Sequence, residues 1–197
     1  MIKTNISNQY PHHLTKYKNS NSDIFIADYT NQTRNEVLKR SVEFFNQNPP
    51  TDVNYFTIKN PTAENIGYID FDNSSFTFAN NQSRSQCECV VFPENSSEVS
   101  WILFCELKYC SNSIHNNNDL TKAIKQLYRT RYYYFQENIF VKTNISYLIA
   151  SLPLQPEPFL NFSLTQNFLI KLKRKRNIIL RLKNSVEILN NTNISVK

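Results

Sequence analysis

The sequence predicts an α/β or α+β domain built on a mixed sheet. Three observations carry that expectation. The 197-residue chain is 40% hydrophobic and 19% charged, enough apolar material to bury one core. Three runs, IGYIDFDNSSFTF, QCECVVF and SWILFCELKYC, are rich in aromatic and β-branched residues and are separated by polar turns, the pattern of a meander. Helical spacing precedes and follows them, and a further strand-like run comes after the second helix. The order helix, three strands, helix, strand requires a sheet with both parallel and antiparallel neighbours.

Residues 1–22, rich in Asn, Lys and Ser, show little periodicity and read as a flexible arm, with Tyr10, Leu14 and Tyr17 able to pack. SDIFIADY reads as a short strand. Val37, Leu38, Ser41, Val42 and Phe45 recur at helical intervals before Pro49 and Pro50, which predicts a first helix over 33–48. The meander follows. Asp119 then serves as an N-cap for a helix over 119–140, on which Leu120, Ala123, Ile124, Leu127 and Tyr134 share a face. NISYLIASLP reads as a buried strand over 144–151. A loop with Pro153, Pro156 and Pro158 leads to a basic helix, LTQNFLIKLKRKR, and a last β-like stretch, NIILRLKNSVEIL. With no repeat and no linker, 1–197 is read as a single domain: an arm over 1–22, a core over 33–151 and a basic extension over 152–197.

Composition excludes whole classes of enzyme. Gly67 is the only glycine, so neither a dinucleotide fingerprint nor a P-loop can form. Left-handed turns fall to asparagine, present 28 times. Lys and Arg exceed Asp and Glu by 22 to 16, a net charge of +6 that favours polyanionic partners. No apolar run reaches the ~20 residues of a membrane span, and MIKTNISNQYPHH lacks the apolar stretch of a signal peptide. A cytoplasmic protein with no membrane partner is therefore expected. Cys87, Cys89, Cys105 and Cys110 lie in or beside apolar runs and read as reduced, buried thiols; no C-x2-C pair suggests zinc. His12, His13 and His115 read as surface residues.

The chemistry concentrates in CECVVFPENSSEVSWILFCELKYC. Alternation puts Ile102, Phe104, Glu106 and Lys108 on one strand face and Leu103, Cys105, Leu107 and Tyr109 on the other. Two charges on an apolar strand must be paired, solvated or bound to a metal. If the preceding strand pairs antiparallel with Phe92 across from Ile102, Glu88 faces Glu106, with Cβ atoms roughly 5 Å apart. A hard divalent cation could bridge two such carboxylates. A slip of one residue would send Glu88 to the other face.

A carboxylate on one strand, then E-x-K on the next, then a helix with A-x-x-Q-L resembles the PD-(D/E)xK, or restriction-endonuclease-like, superfamily. The pieces here are Glu88, Glu106-Leu107-Lys108 and Ala123-Ile124-Lys125-Gln126-Leu127. The element order over about 33–151 resembles that superfamily's αβββαβ core. The resemblance implies a nuclease that hydrolyses phosphodiester bonds of DNA with Mg²⁺ or Mn²⁺, RNA being the other possible substrate. It implies Glu88 and Glu106 as metal ligands, Lys108 beside the scissile phosphate and Gln126 facing the site from the helix. Glu36 stands where some members carry a helical glutamate. The family's usual aspartate is replaced here by Glu88, after Cys87 rather than proline; Asp70 and Asp72 are the alternatives one strand earlier. A role in defence is an analogy of the family alone.

The remaining charges suggest a phosphate-tracking surface. Lys122, Lys125 and Arg129 lie on the 119–140 helix, and Lys173, Arg174, Lys175 and Arg176 form a run without acidic neighbours. Tyr128, Tyr132 and Tyr133 could instead make a homodimer seam or dock a partner protein. The rival to hydrolysis is a catalytically silent nuclease-like fold that binds nucleic acid or a protein, as an immunity or regulatory subunit would.

Overall fold

The structure, a computed structural model, describes residues 1–196. Its centre is β7 (Trp101–Leu107), whose seven residues are all buried. A strand covered on both faces has to be a nearly continuous apolar run, and WILFCEL meets that condition except at Glu106. Around it lies a six-stranded sheet in the order β1 (Lys18–Ser20), β5 (Ile66–Asp70), β6 (Cys89–Pro93), β7, β8 (Ile145–Ser151) and β9 (Ile178–Leu182). The pairs from β1 to β7 are antiparallel, and β7, β8 and β9 run parallel. Parallel neighbours need crossovers, supplied by α2 (Asn116–Gln136) between β7 and β8 and α3 (Gln166–Arg176) between β8 and β9.

A second, five-stranded sheet has the order β11 (Asn193–Ser195), β10 (Ser185–Asn190), β4 (Phe56–Lys59), β2 (Ile24–Asp28) and β3 (Val42–Asn46). The result is three layers. Ile102 and Phe104 of β7 join Leu120 and Leu127 of α2 in one apolar cluster. Leu103, Cys105 and Leu107 join Ile24, Ile26, Phe56 and Val186 of the second sheet in another. This division of alternate residues is the one the strand pattern predicts, and the α+β class with mixed sheets agrees with it.

Several elements differ from expectation. The predicted helix over 33–48 is absent: 29–41 is a chain of turns, and 42–46 is β3, antiparallel to β2. Val37 and Leu38, two of the apolar positions on which that helix rested, are 101% and 83% exposed. Val42 is buried, and Phe44 stacks on Tyr68 with ring centroids 4.4 Å apart, so pairing and packing override a weak helical period. The second helix runs from Asn116 to Gln136, with Asp119 in its first turn rather than at its cap. NIILRLKNSVEIL is two strands in different sheets, β9 and β10.

Residues 1–22 form no arm. They fold as α1 (Ile2–Gln9), a 3₁₀ turn over Pro11–Lys16 and β1, with Ile2 and Ile6 wholly buried in the α2-side cluster. His13 is buried as well, its ring nitrogens 2.9 Å from the Tyr134 hydroxyl and 2.8 Å from the Ser75 carbonyl. Two isoleucines four residues apart are too few for a periodicity signal, yet enough to seat one helix face. The sole glycine serves a close approach: a Cβ on Gly67 would lie 2.6 Å from the Tyr17 ring. Asparagine makes four of the six left-handed positions, at Asn81, Asn138, Asn161 and Asn177, and Gln47 and Ala63 make the other two. No helix among the described residues is long and apolar enough to cross a membrane.

Because Ile6 is part of the core, Ile6→Ala should lower unfolding stability by about 2–4 kcal/mol. Denaturant titration reads this directly. A variant as stable as the parent would mean that the N-terminal segment behaves as the arm its composition suggests.

Candidate functional site

The hairpin that carries the acidic residues pairs as the sequence pattern demands. Cys89 faces Cys105, Val90 faces Phe104 and Val91 faces Leu103, the register that sets Phe92 against Ile102. One step beyond the last ladder pair, Glu88 comes alongside Glu106, with the Glu88 amide donating to the Cys105 carbonyl at 3.1 Å. Strict alternation would put Cys87 and Cys89 together on the face opposite Glu88, but they lie on opposite faces: Cys87 in the α2-side cluster and Cys89 between the sheets. The cause is local. The Cys87 amide donates to Thr130 Oγ1 on α2 at 2.7 Å, which draws the lead-in to β6 toward the helix.

Glu106 is 0% exposed. Lys108 Nζ forms an ion pair with its Oε1 at 2.5 Å, Oε2 has no partner at all, and neither oxygen accepts a hydrogen bond of good geometry. Burial pushes Glu106 up to about 7, and the Lys108 ammonium pulls the other way. Glu88, half-buried, is held well above the ordinary carboxylate range by burial and then by the charges of Glu106 and Asp28. For Lys108 burial disfavours the charge, but Glu106 and Glu88 outweigh it and raise its pKa. Glu88, Glu106 and Lys108 therefore act on one another's charge as one group at the C-terminal end of β7. Crowded carboxylates with an unpartnered buried oxygen are a donor set that a cation would relieve. Among the described residues, no group of three or more His, Cys, Asp or Glu is placed to hold a metal ion. A metal here would take two carboxylates and complete its shell with water, as Mg²⁺ commonly does.

The structure adds two residues that sequence reasoning missed. Asp28, at the end of β2, acts on both Glu88 and Glu106, and its amide donates to the Tyr109 hydroxyl at 3.1 Å. Tyr109 also donates to the Asn54 carbonyl at 2.6 Å, tying the end of β7 to the second sheet. IFIAD is legible as a strand, but nothing local says which sheet it joins.

Other expected residues fall elsewhere. Gln126 Nε2 donates to the Gln86 carbonyl at 2.8 Å, which fixes the strand leading to Glu88; its visible role is positioning. Asp70 and Asp72 are both paired with Lys16, at 3.2 and 2.6 Å. Glu36 is exposed in the turns that replace the predicted helix. His12 and His115 hold no place in the group, and His13, expected at the surface, is buried with its pKa lowered to about 4, chiefly by that burial. Cys87, Cys89 and Cys105 are buried free thiols, and Cys110 is half-buried.

Lys122, Lys125 and Arg129 are exposed along α2, and Lys173, Arg174, Lys175 and Arg176 are exposed on the last turn of α3. Cations there also complement the helix dipole, and Lys173 donates to Asn177 Oδ1 at 2.7 Å. The tyrosines divide. Tyr133 is buried under the Arg84 guanidinium, 3.8 Å from its ring centre, whereas Tyr132 is 55% exposed.

The shifts set a pH signature. Folded, Glu106 keeps its proton up to about pH 7, against an ordinary value of 4.5. Between these limits the folded state binds more protons than the unfolded one, so this contribution to stability falls as pH rises. His13 has the opposite sign: its folded value of about 4 lies below its ordinary 6.5, so its contribution rises with pH. In EDTA, the Tm of Glu106→Gln should therefore gain on the parent's as pH climbs from about 5 to about 7, by on the order of a few kcal/mol in stability. A pH-independent difference would mean that Glu106 is ionised throughout.

No protein family, curated protein or solved structure matches this chain. What the site does has to be read from its own residues and their surroundings.

Proposed function

We propose that this protein is a metal-dependent phosphodiesterase that hydrolyses DNA at Glu88, Glu106 and Lys108, on a restriction-endonuclease-like core. The observation that carries the reading is the buried Glu106, with one oxygen on Lys108, the other unpartnered, and Glu88 alongside. Part of the element order supports it: three antiparallel strands, a crossover helix and a parallel strand follow one another as β5, β6, β7, α2 and β8. The first helix of that pattern, expected over 33–48, is not formed there; the helix earlier in the chain is α1, with β1–β4 between it and β5.

Glu88 and Glu106 would hold Mg²⁺ or Mn²⁺ as oxygen donors. A cation so held supplies two effects, acidifying a bound water and offsetting charge on the phosphate. Lys108, anchored by its amide on the Ser151 carbonyl at 2.9 Å, presents an ammonium that can turn from Glu106 toward a phosphate oxygen as negative charge develops. Gln126 acts through Gln86 by fixing the strand that bears Glu88. Lys122, Lys125 and Arg129 give phosphate contacts along α2, which position a nucleic acid without reading its sequence.

The complete burial of Glu106 favours a second reading, a nuclease-like fold that binds nucleic acid or a partner protein without cutting. There the Glu106–Lys108 pair is purely structural, and removing Lys108 strands buried carboxylates.

Incubation with plasmid and single-stranded DNA in Mg²⁺, Mn²⁺ or EDTA decides between them. Hydrolysis is expected with either metal and not in EDTA. Lys108→Ala should slow it by ~10²-fold or more while metal binding persists, and Glu106→Ala should lose metal affinity and cleavage together. A parent chain that cuts nothing with either metal would overturn the hydrolase in favour of the silent fold.

A further inference from the structure

A groove runs between the C-terminal half of α2 and α3. Two hollows share Lys175 and Arg176, one of about 520 Å³ and the other of about 330 Å³. Tyr128, Phe168, Lys171 and Leu172 complete the first, and Arg131, Tyr132, Phe135 and Lys142 are among those completing the second. The cations come from three separate parts of the chain: α2, α3 and the loop before β8. Among the described residues no carboxylate lines either hollow. Two rings remain uncovered, Tyr132 at 55% and Phe168 at 40% exposure. Two polar atoms, the Tyr128 hydroxyl and Arg131 Nε, are shielded from water and make no hydrogen bond within the protein.

We propose that this groove binds single-stranded nucleic acid, with phosphates on Lys171, Lys175, Arg176 and Lys142 and bases on Tyr132 and Phe168. Cations alone would suit any polyanion. Exposed rings set among them suit one whose flat apolar faces are free, and in a duplex those faces are stacked on each other. Dipole compensation at the end of α3 accounts for Lys173, already bonded to Asn177, but not for Lys142, which reaches the same hollow from another element.

The groove is separate from the carboxylates. Asn177, next to Arg176, donates to the Thr143 carbonyl at 2.9 Å, so this end lies where β8 and β9 begin. Glu106 and Lys108 lie where the parallel β7 ends, roughly 20 Å further along at ~3.3 Å per residue. The inference shares its ligand class, nucleic acid, with the reading above but does not rest on hydrolysis.

Anisotropy of labelled oligothymidylate and of a labelled duplex of equal length, both in EDTA, tests it. The single strand should bind at least about fivefold more tightly than the duplex. Tyr132→Ala and Phe168→Ala should each weaken single-strand binding by about five- to a hundredfold and leave duplex binding unchanged, while Tyr132→Trp retains affinity. Lys175→Gln with Arg176→Gln should reduce the salt slope by about 1–2. Both rings are exposed, so the variants should melt with the parent; if one does not, the other carries the test. Equal affinity for the two oligonucleotides, aromatic variants that bind like the parent, or equally tight binding of anionic lipid vesicles would overturn the proposal. A parent with the expected binding that never cleaves DNA supports the groove and removes only the hydrolase.

Discussion

Placing a carboxylate inside β7 is the constraint on which the rest of the site depends. The strand is closed on one face by α2 and on the other by the second sheet, so every position along it is removed from water. An isolated ionised group there is costly enough that it either takes up a proton or finds a countercharge. Glu106 does part of each: Lys108 meets one oxygen, and burial still raises the pKa. Glu88 and Asp28 lie close enough to raise the cost of ionising the carboxylates further, and a single ammonium offsets only part of that cost. A fold does not gain stability from such an arrangement. That imbalance is the observation behind the proposed site.

The surrounding structure holds this group in place through several independent ties. Thr130 on α2 binds the Cys87 amide and Gln126 binds the Gln86 carbonyl, so the helix fixes the residues just before Glu88. Tyr109 joins the end of β7 to β2 and to the loop at Asn54. Lys108 is anchored through its backbone to β8. The charged side chains thus project from a frame whose position is set by three elements, the condition for a preorganised electrostatic site.

Basic residues divide by what they touch. Some satisfy the fold: Lys16 pairs with Asp70 and Asp72, and Lys173 bonds Asn177. Arg131 is largely buried near the rings of Phe135 and Phe140 and donates to the Arg176 carbonyl. Others converge from different elements on one groove with uncovered aromatic rings. Net charge alone does not separate these roles, since it sums cations already paired with those that are free.

The sequence by itself determined the meander, the crossover helix, the parallel strand after it and the hairpin register. In each case a local pattern and a buried face demand the same answer: a one-residue slip in β6 would turn Val90 and Phe92 out of the helix-side core. It also determined that Glu106 lies in an apolar strand with Lys108 just past its end, and that asparagine would make most of the left-handed turns. Only the tertiary structure decided that residues 33–48 would not be a helix, because β2 offered Val42 and Phe44 a ladder and Tyr68 a stacking face. Only it seated α1 through two isoleucines, and buried His13 against Tyr134. It alone brought Asp28 to the carboxylates and Lys142 to the groove. Those contacts join segments far apart in the chain, and their energies come from surfaces that exist only once the sheets have closed on each other. No window of neighbouring residues contains them.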